Sequence, residues 1–283
     1  MQRGFFTGID SDGSAIDNME RKHKECFVPN TIASWGLEAV AAAAREAIEF
    51  TNLYSRTRGA NRWKALLLAL KLLRSHPEVL RRGFEVPELP AVQAFVGSGE
   101  TLSNEGLERY MAAHPSTELT RALDWSRRVN AASQEKLAGL PPFPGVRESL
   151  TRLRQHARSA IISQTPHAEL VREWRRHGME TLVDAIGGPE FGQKSQQFTR
   201  FAGAAAEPGR WLMIGDAAGD WEAAEAVGAL FYPINPGGEA KSWRRFQDEG
   251  LPRFLQGTFA GGYQAALLEE FLRRIPPQPP WLG

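Results

Sequence analysis

The sequence predicts an α/β fold, a parallel sheet with helices on both faces, with a long helical block placed after the first strand. Three observations carry this. A short β-prone run, GFFTGI at residues 4–9, ends on a charged pair. From about residue 20 to residue 139 apolar residues recur at helical spacing with almost no strand pattern. After LPPFPG at residues 140–145, strand-like and helix-like segments alternate to residue 234. Such alternation is the mark of a parallel sheet, whose right-handed crossovers bring every strand's carboxyl end to one edge, where ligands bind.

The elements follow in order. In the helical block, residues 37–52, 61–75, 103–114 and 118–137 carry the helical pattern, and Pro77, Pro87, Pro90, Gly83, Gly97, Gly99 and Gly106 punctuate it. Beyond residue 145 the pattern predicts helices at 146–155, 168–178, 195–206 and 221–227. Strands are expected at 159–162, 182–186, 211–214 and 229–234. Residues 246–275 read as helical, and PPQPP at 276–280 as a solvated tail. The expected division is therefore a core of residues 1–19 and 140–283 and a helical domain of residues 20–139.

Composition narrows the function. The 283 residues carry 34 basic and 33 acidic side chains, a formal net charge of +1, which argues against a broad nucleic-acid surface. The most apolar stretch, WKALLLALKLL at 63–73, is too short for a membrane span and is interrupted by Lys64 and Lys71. The N-terminus lacks the apolar length of a secretory signal. Cys26 stands alone and can form no intrachain disulfide, so a cytoplasmic location is expected.

Four polar clusters follow four of the expected strands: Asp10-Ser11-Asp12-Gly13-Ser14, Ser163-Gln164-Thr165, Lys194 in the loop after residue 187, and Gly215-Asp216-Ala217-Ala218-Gly219-Asp220. Asp10 and Asp12, one residue apart at a strand end, project to the same side. A calcium loop starting at Asp10 would need Gly at its sixth position and Glu at its twelfth, where Ala15 and Arg21 stand. Together the clusters supply what phosphoryl transfer requires: an oxygen nucleophile, and cations and donors that offset the repulsion around phosphorus. Asp10 and Asp216, with Asp220 directly or through water, offer the hard oxygen donors that Mg²⁺ prefers. Lys194 can bridge nucleophile and phosphate, and Ser163 can donate to a phosphate oxygen. Asp10 would form an aspartyl-phosphate, and Asp12 would protonate the leaving oxygen and later deprotonate water.

The segments GIDSDGSAID, SAIISQT, Lys194 and IGDAAGD resemble, in order, the four motifs of the haloacid dehalogenase (HAD) superfamily. PGVRESLTRLRQ is similar to the helix that family places between its cap and its second motif. The resemblance spans residues 4–18 and 143–235, and the helical block by position only. It implies a Rossmann-like core with an inserted all-helical cap. Asp10 then corresponds to the nucleophile, Asp12 to the acid/base, Ser163 and Lys194 to the phosphate binders, and Asp216 and Asp220 to the metal pair. It also implies that the Asp12 carbonyl ligates Mg²⁺. Ser14 stands where Thr or Val is common, and Lys194 lacks the proline that often follows it.

Other readings stay beside the phosphatase. Gln164 can touch substrate, whereas Thr165 is expected to cap the next helix. Arg56, Arg58 and Arg62, around Gly59, could bind a second anionic group of a small phosphorylated substrate, or could form a solvated turn. A phosphosugar mutase of the same superfamily would use the same residues, and a non-catalytic binding protein could keep the fold. A phosphonate-cleaving relative relies on a cap lysine not identified here. Halide release needs no Mg²⁺, which Asp12, Asp216 and Asp220 together favour. The oligomeric state is not legible.

Overall fold

A computed structural model describes residues 4–203 and 209–283; residues 204–206 of the expected helix therefore lie outside the described residues. The chain divides into two compact units, Met1–Met19 with Gly139–Ile275, and Glu20–Ala138 with Pro276–Gly283.

The first unit is built on a five-stranded parallel sheet in the order β3-β2-β1-β4-β5. Its strands are β1 (Phe5–Ile9), β2 (Ala157–Ile162), β3 (Ala185–Gly187), β4 (Trp211–Gly215) and β5 (Leu230–Pro233). Strand order proceeds outward from β1 in one direction through β2 and β3, and β4 starts the other side, so the topological switch lies between β1 and β4. Ligands bind at that crevice in sheets of this kind. The strands are buried on both faces. Ile9, Ile161, Leu212, Ile214 and Tyr232 feed one apolar cluster, while Phe6, Ala160, Ile162, Met213 and Phe231 feed the other. This period-two alternation makes the helices pack on both sides. Gly8 is required by the packing: a Cβ there would lie 2.5 Å from Ile162 Cδ1 and 2.8 Å from Phe198 Cδ2.

Strand β3 is shorter than expected. Residues Glu180–Leu182 form a helical turn instead, and at Asp184 the amide donates to Ser159 O at 2.8 Å while the Ser159 amide turns to Asp184 Oδ2 at 2.7 Å, so a side chain takes one of the two bonds where the ladder would begin.

The second unit is all-helical among its described elements and has its own core around Trp63, Phe95, Trp125 and Leu70. Its long helices, Ala41–Leu53, Arg62–Arg74, Asn104–Ala113 and Thr117–Lys136, match the expected periodic segments. The helices Lys22–Phe27, Val28–Trp35, Pro77–Arg82 and Pro90–Gly97 fall outside the expected periodic segments. Pro77 and Pro90 start helices rather than breaking them, since proline at the first helical position removes an amide that has no partner there. The last eight residues, assigned from sequence to the core and read as a solvated tail, belong to this unit instead. Pro279 is buried, and the Trp281 ring lies 4.9 Å from His76 and 6.0 Å from Phe50.

Candidate active site

The site forms where β1, β2 and β4 end and where the chain returns after β3. Asp10 directly follows β1, and its amide donates to Ile214 O at 2.9 Å, which fixes the carboxylate beside β4. The chain then turns sharply. The amides of Ala15 and Ile16 both donate to Ser11 O, and Gly13 adopts φ 74°, a conformation open to glycine at little cost. Two tryptophans clamp this turn from below: Trp174 Nε1 donates to Ser11 Oγ at 3.0 Å, and Trp243 Nε1 to Ser14 O at 2.8 Å.

Asp216 and Asp220 arrive from the end of β4 and the first turn of the helix Ala218–Ala226. Ser14 Oγ donates to Asp216 Oδ1 at 2.7 Å, so the turn after β1 orients a carboxylate 202 positions away. Asp220 folds back over Gly215 and accepts from the Ala217 amide at 3.1 Å. Gly215 makes that possible, because a Cβ there would lie 2.3 Å from Asp220 Cγ. Lys194, the first residue of the helix Lys194–Ala202 rather than a loop residue, reaches both acids: Nζ lies 2.9 Å from Asp10 Oδ1 and 2.6 Å from Asp220 Oδ1.

Asp10, Asp216 and Asp220 are all buried, and one oxygen from each lies within 4.8 Å of the others. Three carboxylates against one ammonium leave an excess of two negative charges. Burial pushes the Asp10 carboxyl well above the usual range; Lys194 pulls it down, while Asp220 and Asp216 add repulsion. Burial likewise raises Asp220, against the pull of Lys194. Burial alone would lower Lys194, but Asp10 and Asp220 hold its ammonium above the ordinary value. A divalent cation among the three acids would offset the excess charge, and hard, crowded carboxylate oxygens are the donors that suit Mg²⁺.

Asp12 has a different setting. It is half-buried, accepts from Asn18 Nδ2 at 2.7 Å and accepts from Thr165 Oγ1 at 3.1 Å. Thr165 is therefore tied to Asp12 and does not cap the helix His167–Arg176. That amide end is met by Glu190, whose carboxylate accepts from the His167 amide at 3.2 Å. Ser163 is buried, and its Oγ accepts from the Thr165 amide at 3.1 Å, which leaves the hydroxyl proton unused by that bond. Gln164 is exposed, with Nε2 3.3 Å from Gly192 O.

The three arginines singled out from sequence all lie in the helical unit and are not equivalent. Arg58 is buried and donates to Leu53 O at 3.0 Å. Arg62 donates to Ser126 Oγ at 2.8 Å and Asn130 Oδ1 at 2.7 Å, and lies over the Phe27 ring. Arg56 is exposed.

Three residues of this site had no sequence signal strong enough to single them out for these roles: Ser14, Asn18 and Gly215. Gly215 could have been found, since a glycine before an aspartate at a strand end marks a close approach.

Comparison with solved structures places similar folds beside this arrangement. An L-2-haloacid dehalogenase from Xanthobacter autotrophicus is 15% identical, over 96% of this chain and 89% of its own, with a TM-score of 0.42. A predicted phosphoglycolate phosphatase from Haemophilus somnus is 16% identical over 83% and 88%, with a TM-score of 0.46. A haloacid dehalogenase-like hydrolase from Streptococcus pneumoniae is 14% identical over 86% and 92%, with a TM-score of 0.42. No protein-family model and no curated protein matches the sequence. No helix among the described residues is long and apolar enough to cross a membrane.

Proposed function

We propose that this chain is a HAD-like, Mg²⁺-dependent phosphatase that hydrolyses a small phosphomonoester through an aspartyl-phosphate on Asp10. The observation that carries the proposal is the convergence of Asp10, Asp216 and Asp220 within 4.8 Å, bridged by Lys194, beside an Asp12 held separately by Asn18 and Thr165. Mg²⁺, held by Asp10, Asp216 and Asp220, would neutralise charge on the phosphoryl oxygens and let an anionic nucleophile approach.

The side chains then divide the work. Asp10 attacks phosphorus, and the P–O bond to the leaving group breaks. Lys194 keeps the nucleophilic oxygen oriented and faces the same phosphoryl group. Ser163 donates its hydroxyl proton to a phosphoryl oxygen. Asp12, whose two oxygens are each held by one donor, gives its proton to the leaving oxygen and then takes one from the water that attacks the phosphorus. That second attack releases phosphate and restores Asp10. Of the three arginines of the helical unit, Arg58 and Arg62 serve internal bonds and Arg56 is exposed. The lone, buried Cys26 supports a reducing, cytoplasmic setting.

The test is hydrolysis of p-nitrophenyl phosphate with Mg²⁺, with EDTA and with Asp10→Asn. Turnover that requires Mg²⁺ and falls by at least about 10³-fold in the variant is expected. Near-native kcat in Asp10→Asn would refute the mechanism. Chloride release from 2-chloropropionate without Mg²⁺ would replace the phosphatase with a dehalogenase.

A further inference from the structure

The helix Lys194–Ala202 carries a buried polar side chain on the face that carries the half-buried Lys194. Gln197, one turn further on, is fully buried, and its hydrogen bonds go to backbone groups and not to the acids described above. Its carboxamide makes three hydrogen bonds. Nε2 donates to Ser163 O at 2.8 Å and to Gly192 O at 2.9 Å, while Oε1 accepts from the Ser163 amide at 3.2 Å. One side chain thus reads both backbone groups of Ser163 and also the loop that leads into Lys194.

Two further contacts join the same loops. Gln164 Nε2 lies 3.3 Å from Gly192 O, and Glu190 accepts from the His167 amide. The loops approach so closely that a Cβ at Gly188 would lie 2.6 Å from the His167 amide nitrogen and 2.8 Å from Thr165 O. Of these bonds, the two from Gln197 to Ser163 are buried and the one to Gly192 O is part-buried, whereas the Gln164 and Glu190 bonds are exposed; buried polar bonds hold geometry better than solvated ones.

We propose that Gln197 is a positioning residue that locks the Ser163 hydroxyl and the Lys194 ammonium into one geometry, so that both meet the same phosphoryl group. The inference rests on the phosphatase reading for its catalytic half, whereas the clasp itself does not. Ser163 directly follows β2, and Lys194 follows a loop after the short β3; the last backbone bond between the two is a long one, from the Ser163 amide to Gly187 O at 3.3 Å, and no strand pairing continues beyond residue 187. The carboxamide fills that gap, because it can accept and donate at once, which neither Glu nor Met of similar size can do at neutral pH.

The test uses the full-length protein and the substitutions Gln197→Met and Gln197→Glu, the second keeping a polar, well-sized side chain should the first fail to fold. Hydrogen exchange is read over residues 162–166 and 188–193, with β1 as the internal reference. Exchange at both loops is expected to rise at least tenfold while β1 stays as in the wild type. Orthovanadate, a mimic of the phosphoryl group in transfer, should bind at least tenfold more weakly and kcat should fall similarly. Mg²⁺ affinity should fall by less than vanadate affinity, because Gln197 bonds Ser163 and Gly192 and reaches the acids only through Lys194. Wild-type exchange at the two loops would overturn the clasp. Faster exchange with unchanged kcat and vanadate affinity, or an equal loss of Mg²⁺ affinity, would overturn the positioning role. Wild-type protein without Mg²⁺-dependent turnover would count against the phosphatase reading instead, and the exchange measurement would still decide the clasp.

Discussion

Substituting Gly215 by Ala tests whether the fold-back of Asp220 builds the metal site. The added Cβ would stand 2.3 Å from Asp220 Cγ and 2.4 Å from both Cβ and Oδ2 of the same residue. Ordinary carbon contact begins near about 3.5 Å, so the carboxylate must retreat by roughly 1 Å. The bond of 2.6 Å to Lys194 Nζ and that of 3.1 Å from the Ala217 amide then cannot both survive. Losing one hydrogen bond to a charged group costs about 1.5–3 kcal/mol, and a displacement of this size in catalytic geometry costs on the order of 10²-fold in rate. Gly219 is the control, because a Cβ there meets nothing within 4 Å. It lies inside the helix Ala218–Ala226, where Ala in place of Gly adds about 0.5–1 kcal/mol of stability. Calorimetric titration with Mg²⁺ and p-nitrophenyl phosphate turnover should show Gly215→Ala weakened at least about tenfold in Mg²⁺ affinity and about 10²-fold in kcat, with Gly219→Ala near wild type. Equal behaviour of the two variants would refute the argument.

The crowded acids give a pH prediction. Asp10 and Asp220 have raised folded-state pKa values, so without metal their ionised forms destabilise the fold above those values. The penalty fades as pH falls through the folded values and is gone below the unfolded ones; Mg²⁺ should abolish this component, which Tm against pH with Mg²⁺ and with EDTA will check. Asp10→Asn should therefore raise Tm in EDTA while abolishing turnover; a lower Tm would contradict the charge argument. Trp281→Ala should destabilise the helical unit by about 1–2 kcal/mol, less than a fully buried indole because the ring is half-buried; denaturant unfolding unchanged from wild type would return the tail to solvent. Arg62→Met should lower Tm by several degrees, as it removes the bonds to Ser126 Oγ and Asn130 Oδ1, whereas Arg56→Met should leave Tm alone. Equal Tm values would remove the distinction drawn between these arginines.

Much of the candidate site was legible because its signals are local. A β-prone run ending in Asp-x-Asp-Gly, and another ending in Gly-Asp, place carboxylates at strand ends within a few residues of backbone pattern. The long helices were legible for the same reason, since their apolar spacing repeats over several turns. Short proline-led helices were not: Pro77 and Pro90 look identical as letters whether they end one helix or begin the next. Thr165 was read as a cap because capping is its usual role after a strand, and Glu190 took that role from another loop.

By itself the sequence determined which side chains stand at the ends of the strands, and that a long helical block separates the first strand from the others. Only the tertiary structure decided how they act together. Ser14 orients Asp216 across 202 positions, Lys194 bridges Asp10 and Asp220, and Trp281 returns to the helical unit. Backbone preference and periodicity are written over a few residues. A hydrogen bond between distant segments depends on the order in which strands enter the sheet, and no local pattern encodes that order.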